Sequence, residues 1–84
     1  MADETAIRLM PWHSHLYPGA RGRIEGPGQG DCVLEFPDGA LAFGTLDGPV
    51  LSVRAHRTAA GTDIPAKRWR IERHGTRFRI VTRA

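Results

Sequence analysis

The chain has 84 residues, 40% hydrophobic and 25% charged, with a formal net charge of +3. That length admits one domain with a thin core, since so short a chain buries only about 60% of its unfolded surface. The composition excludes a disordered tail, and a single cysteine excludes an intramolecular disulfide. The start, Met1-Ala2-Asp3-Glu4, is acidic and no long apolar run follows it. A cytoplasmic protein without signal peptide, membrane span or membrane partner is therefore expected.

No window free of Gly and Pro keeps apolar residues at helical spacing. Ten glycines and six prolines cut the chain into short pieces instead. Those pieces alternate with period two, as half-buried strands do. A single β domain over 1–84 is expected, with residues 1–4 disordered. Thr5 to Met10 reads as the first strand, ended by Pro11.

The segment Trp12-His13-Ser14-His15-Leu16-Tyr17-Pro18 follows. His13 and His15 share one face of an extended chain, and His56 could add a third nitrogen. No Cys pair or carboxylate falls at matching spacing, so no metal is expected. Ser14 has no base oriented toward it and is not a nucleophile. Trp12, His13, His15 and Tyr17 could instead dock a protein partner, since such aromatics are favoured interface anchors.

Ala20 to Glu25 reads as the second strand. The loop Gly26-Pro27-Gly28-Gln29-Gly30 lacks the Lys-Ser/Thr of a phosphate-binding loop and precedes no helix, so it reads as a plain connection. The strand of Cys32 then enters a hairpin. A type I′ turn at Asp38-Gly39 predicts Phe36 opposite Leu41, Leu34 opposite Phe43 and Cys32 opposite Thr45 on the buried face. Cys32 should be an inert, buried thiol. The stretch from Gly22-Arg23-Ile24-Glu25 to Val33-Leu34-Glu35-Phe36-Pro37-Asp38-Gly39 resembles SH3-like barrels of the KOW or Tudor kind. There a glycine-flanked strand leads through a loop into such a hairpin. The resemblance implies architecture only.

Val50 to Ala55 reads as a further strand, with Leu51, Val53 and Ala55 on one face. Residues 57–66 form the longest structureless connection, where Thr62 or Asp63 could cap one helical turn. The last hairpin is predicted to turn at His74-Gly75. That register pairs Ile71 with Phe78 and Trp69 with Ile80 inside. Outside, it sets Glu72 against Arg77, Arg70 against Arg79 and Arg68 against Val81. The expected fold is all-β: a small barrel or two-layer sandwich of five to seven short antiparallel strands, with an SH3-like barrel favoured.

Charge is divided unevenly. Residues 67–84 hold seven cations against the one anion Glu72, while residues 1–66 hold five cations against eight anions. Arg68, Arg70, Arg77 and Arg79 should share the outer face of the last hairpin, with Arg73 and Lys67 near its ends. Such a face could neutralise the phosphates of a nucleic acid. Without interleaved aromatics it would position a backbone and read no sequence. A continuous basic stripe that also took in Arg21 and Arg23 would strengthen that reading. The alternative is a protein–protein adaptor docking through residues 12–17 and the loop 57–66, its arginines meeting an acidic protein surface. The carboxylates Glu25, Asp31, Glu35, Asp38, Asp47 and Asp63 form no pair suited to acid–base chemistry, so neither an enzyme nor a cofactor is expected.

Overall fold

The computed structural model describes residues 4–10 and 16–84. Nine strands follow one another: β1 (Thr5–Leu9), β2 (Arg21–Glu25), β3 (Gly30–Glu35), β4 (Leu41–Asp47), β5 (Val50–Val53), β6 (His56–Arg57), β7 (Asp63–Ile64), β8 (Lys67–His74) and β9 (Arg77–Arg83). Seven of them close into a barrel in the order β1-β2-β9-β8-β5-β4-β3, while β6 and β7 pair separately. Neighbours around the barrel run antiparallel except at the closing seam, where β1 lies parallel to β3 with Thr5 beside Cys32. No described helix is long and apolar enough to cross a membrane.

The period-two pattern does what it predicts. Ile7, Leu34, Leu46, Leu51 and Ile80 are fully buried, and Trp69, Ile71 and Phe78 join them from the last hairpin. Burial on one face of each strand supplies the main driving force of a chain with no disulfide and one thin core. At the seam Thr5 is buried, and its hydroxyl donates to the Gln29 carbonyl at 3.2 Å while accepting the Gly28 N–H at 3.1 Å. The glycine-rich loop is thereby a structural connection tied to β1.

The first hairpin corrects the expected register by one residue. Leu34 faces Ala42, Cys32 faces Gly44 and Val33 faces Phe43. Among the described residues no non-glycine has positive φ, so Asp38 cannot take part in a type I′ turn. Instead Pro37 holds the second position of a type I turn closed by the Gly39 N–H on the Phe36 carbonyl at 2.9 Å. Gly39, at φ +90°, then bulges the chain before Ala40. The odd loop turns β4 over: Ala42, Gly44 and Leu46 go inside, and Leu41 and Phe43 are exposed by 40% and 39%. Cys32, Leu34 and Phe36 stay buried as expected.

The second hairpin also differs, by two residues. His74 faces Arg77, Glu72 faces Arg79 and Ile71 faces Ile80, so the turn residues are Gly75 and Thr76. Only Gly75 has positive φ, which suits a type II′ turn. A slip of two keeps every side chain on its predicted face. The expected Arg70–Arg79 and Arg68–Val81 neighbours are not opposite one another; a bulge beside Ile71 sets Arg70 against Thr82 and skips Val81, and the Arg68 carbonyl takes the Ala84 N–H instead. Three smaller expectations also fail. Residues 57–66 are not structureless, because β6 and β7 pair there, His56 with Ile64 and Arg57 with Asp63. Ala55 is exposed, because β5 ends at Val53 where the chain leaves the barrel. No helical turn forms at Thr62-Asp63, since Asp63 is drawn into β7 by the Arg57 guanidinium, at 2.9 and 3.3 Å.

Candidate nucleic-acid interface

The outer surface of β2, β9 and β8 follows from strand alternation. Phe78 and Ile80 fill the barrel, so Arg77 and Arg79 project outward from β9. β2 lies antiparallel beside β9 in a register that sets Arg21 directly against Arg79 and Arg23 directly against Arg77. Between those arginines sits Gly22, where an added Cβ would lie 2.2 Å from the Arg8 carbonyl oxygen and 2.8 Å from the Phe78 ring. Only glycine lets β1, β2 and the ring approach so closely, which holds the two arginine pairs in place.

On the other flank, β8 contributes His74 opposite Arg77 and Glu72 opposite Arg79. Arg21, Glu72, His74, Arg77, Phe78 and Arg79 line a shallow groove of about 320 Å³. Farther along β8, Arg70 lies between Val50 and Thr82, and Arg68 lies opposite Ser52. All these arginines are exposed.

Few carboxylates temper this face. Arg79 donates to and pairs with Glu72, whose carboxyl is held below its usual range by that hydrogen bond and by the guanidinium charge. Arg8, one strand beyond Arg23, bridges Glu25 at 3.1 Å and Glu35 at 3.0 Å. Among the described residues Arg21, Arg23, Arg68, Arg70 and Arg77 make no ion pair. A convergent cationic surface with shallow relief can bind an extended polyanion.

Of the residues singled out from the sequence, Arg68, Arg70, Arg77 and Arg79 therefore share the outer face. Arg73 does not. It follows Trp69 and Ile71 on the inward alternation, and its guanidinium reaches across the barrel end to the Gly48 carbonyl at 3.3 Å, beside Gly28. Lys67 also lies on the inward set, half-buried, with its ammonium 5.8 Å from the Trp69 ring centroid. Both cations cap ends of the barrel. Arg21 and Arg23 take their place, and only the pairing of β2 with β9 could reveal that.

Trp12, His13 and His15 lie outside the described residues. Tyr17 is half-buried against the core, and its carbonyl accepts the Ala20 N–H. The loop 57–66 folds over one barrel end, where Leu16, Phe36, Thr58, Ile64, Pro65 and Trp69 help to line a pocket of about 210 Å³. His56 packs edge-on against Phe43, their centroids 5.2 Å apart. Among the described residues no three His, Cys, Asp or Glu side chains gather as a metal site would require. Cys32 is buried, and loss of hydration pushes its thiol up to about 11, aided by the charge of Asp31. No protein-family model matches this chain, and no curated protein or solved structure proves similar to it.

Proposed function

We propose that this protein is a non-enzymatic binding module that holds nucleic-acid phosphates on the outer face of β2, β9 and β8. The observation that carries this reading is the direct cross-strand pairing of Arg21 with Arg79 and Arg23 with Arg77. Like charges set opposite each other destabilise a sheet mildly. Four guanidiniums on two adjacent strands, met by a single carboxylate from β8, are compensated when a polyanion lies along them. We take the barrel as SH3-like on the resemblance of residues 22–39, which supports the architecture and no particular ligand. A reducing, cytoplasmic setting suits a lone buried thiol.

The test is a salt titration of binding to fluorescent oligonucleotides. The full chain should bind at low salt, and Arg21→Gln with Arg77→Gln should weaken binding uniformly across sequences while the fold is kept. Absence of binding at low salt would dispose of the reading.

A second reading has one observation in its favour. The pocket at the barrel end joins Leu16 to the loop 57–66 over Phe36 and Trp69, and its 210 Å³ could take one apolar side chain of a protein partner. Ala40→Leu would fill that pocket and abolish such docking without touching nucleic-acid binding.

A further inference from the structure

We infer that the ligand of the basic face is base-paired nucleic acid, held along one of its two backbones over about four successive phosphates. This rests on the nucleic-acid reading above and adds the form of the ligand and its footprint.

The arginines lie in successive levels along the strands. Arg23 and Arg77 form the first level, beside His74, and Arg21 and Arg79 the second, beside Glu72. Arg70, opposite Thr82, marks the third level and Arg68, whose carbonyl accepts the Ala84 N–H, the fourth. Outward positions on one strand recur every second residue, about 6.5–7 Å apart, so the four levels span about 20 Å. That step is comparable to the separation of neighbouring phosphates on one nucleic-acid strand.

The stripe is narrow. Its width at the first two levels is the distance between β2 and β9, about 5 Å, which is less than the width of either groove of a duplex. Carboxylates border it. Glu25 ends the outward row of β2 beyond Arg23, Arg8 and Glu35 stand on the strands past β2, and Asp47 lies across Val50 from Arg70. A second backbone alongside would meet these anions, so the surface serves one backbone only.

The outward positions of β2, β8 and β9 carry no tryptophan, tyrosine or phenylalanine. Proteins that hold unpaired strands stack their bases on such rings, at about 1–3 kcal/mol per base. Paired bases are already stacked and ask nothing of the protein but charge. A stripe of guanidiniums with one imidazole, His74, at its end therefore favours the duplex over its separated strands. Glu72 is the exception within it, since the carboxylate occupies Arg79 in the free protein.

The experiment uses one sequence as a duplex and as its two separate strands, with polyglutamate as a polyanion without phosphates. The full chain should bind the duplex at least about tenfold tighter than either strand. Affinity should fall about a hundredfold over a fourfold rise in salt, as about four neutralised phosphates require. Arg23→Gln, Arg70→Gln and Arg68→Gln should each reduce the salt slope by about one, and Glu72→Gln should strengthen binding by freeing Arg79. Single strands bound as tightly as the duplex, or Arg68→Gln and Arg70→Gln without effect on the slope, would overturn this inference and leave the nucleic-acid reading standing. Polyglutamate bound as tightly as the duplex, or no oligonucleotide bound at all, would overturn both.

Discussion

The hairpins β3–β4 and β8–β9 are each built of one buried and one exposed row, yet their turns set those rows by different rules. In β3–β4, Pro37 fixes a type I turn and Gly39 adds a bulge, so an odd number of residues separates the strands. The result is that small side chains, Ala42 and Gly44, face Cys32 and Leu34 inside, while Phe43 and Leu41 meet solvent. In β8–β9 an even turn of Gly75 and Thr76 leaves the rows where alternation puts them, with aromatic and branched residues inside and arginines outside. Turn parity thus decides which of two hydrophobic sets is spent on the core. The first hairpin is left with an apolar outer patch and the second with a charged one.

The largest effect that could break this comparison lies at positions 42 and 43. Ala42→Asp would bury an unpaired carboxylate and should cost at least about 3 kcal/mol, a large share of the stability of a domain of this size. Phe43→Ser, on the outer row, should cost about 1 kcal/mol or less in urea unfolding. The reverse order would restore the two-residue turn at Asp38-Gly39.

Cys32 sharpens the same point through pH. Its thiol is raised from 9.0 to about 11 by burial on the inner row. A raised pKa favours the folded state while the group stays protonated. That contribution is whole below pH 9.0, declines as pH climbs to about 11 and is then lost. A two-unit shift corresponds to about 2–3 kcal/mol. Unfolding free energy should therefore fall between those pH values in the native sequence by that much more than in Cys32→Ala. Thiol labelling of the folded protein should also be slow. Rapid labelling, or identical pH profiles, would place Cys32 on the outer row.

These cases show which parts of the structure were legible. The positions of the seven barrel strands, the all-β class and the inward faces of β3, β5, β8 and β9 follow from alternation alone, because burial repeats every second residue whatever the partner strand is; the short β6 and β7 do not. Register does not, since it depends on whether Pro37 or the Asp38-Gly39 pair governs the turn, and the sequence contains both signals. Pairing between distant strands is less legible still. Nothing local in Arg21-Gly22-Arg23 says that it lies beside Arg77-Phe78-Arg79, yet that contact completes the basic face. Conversely, Arg73 and Lys67 look like members of the arginine cluster by position, but their parity turns them toward the barrel ends.

The smallest effects concern the second hairpin and separate its two possible registers. Arg70 beside Arg79 would repel it, and Arg70→Thr would then stabilise the fold. In the observed register Arg70 faces Thr82 and Val50, so Arg70→Thr should shift stability by no more than about 0.5 kcal/mol and show no coupling to Arg79→Thr. Arg79 and Glu72 should show favourable coupling in the same double-mutant cycle. Because Arg79 holds the Glu72 carboxyl low, that coupling is present at neutral pH and disappears as acid protonates Glu72 in the folded state. A coupling that instead joined residues 70 and 79 would return the hairpin to a turn at His74-Gly75. It would also move Arg77 opposite Glu72, and the groove between β2 and β8 would lose the arrangement on which the proposed phosphate binding rests.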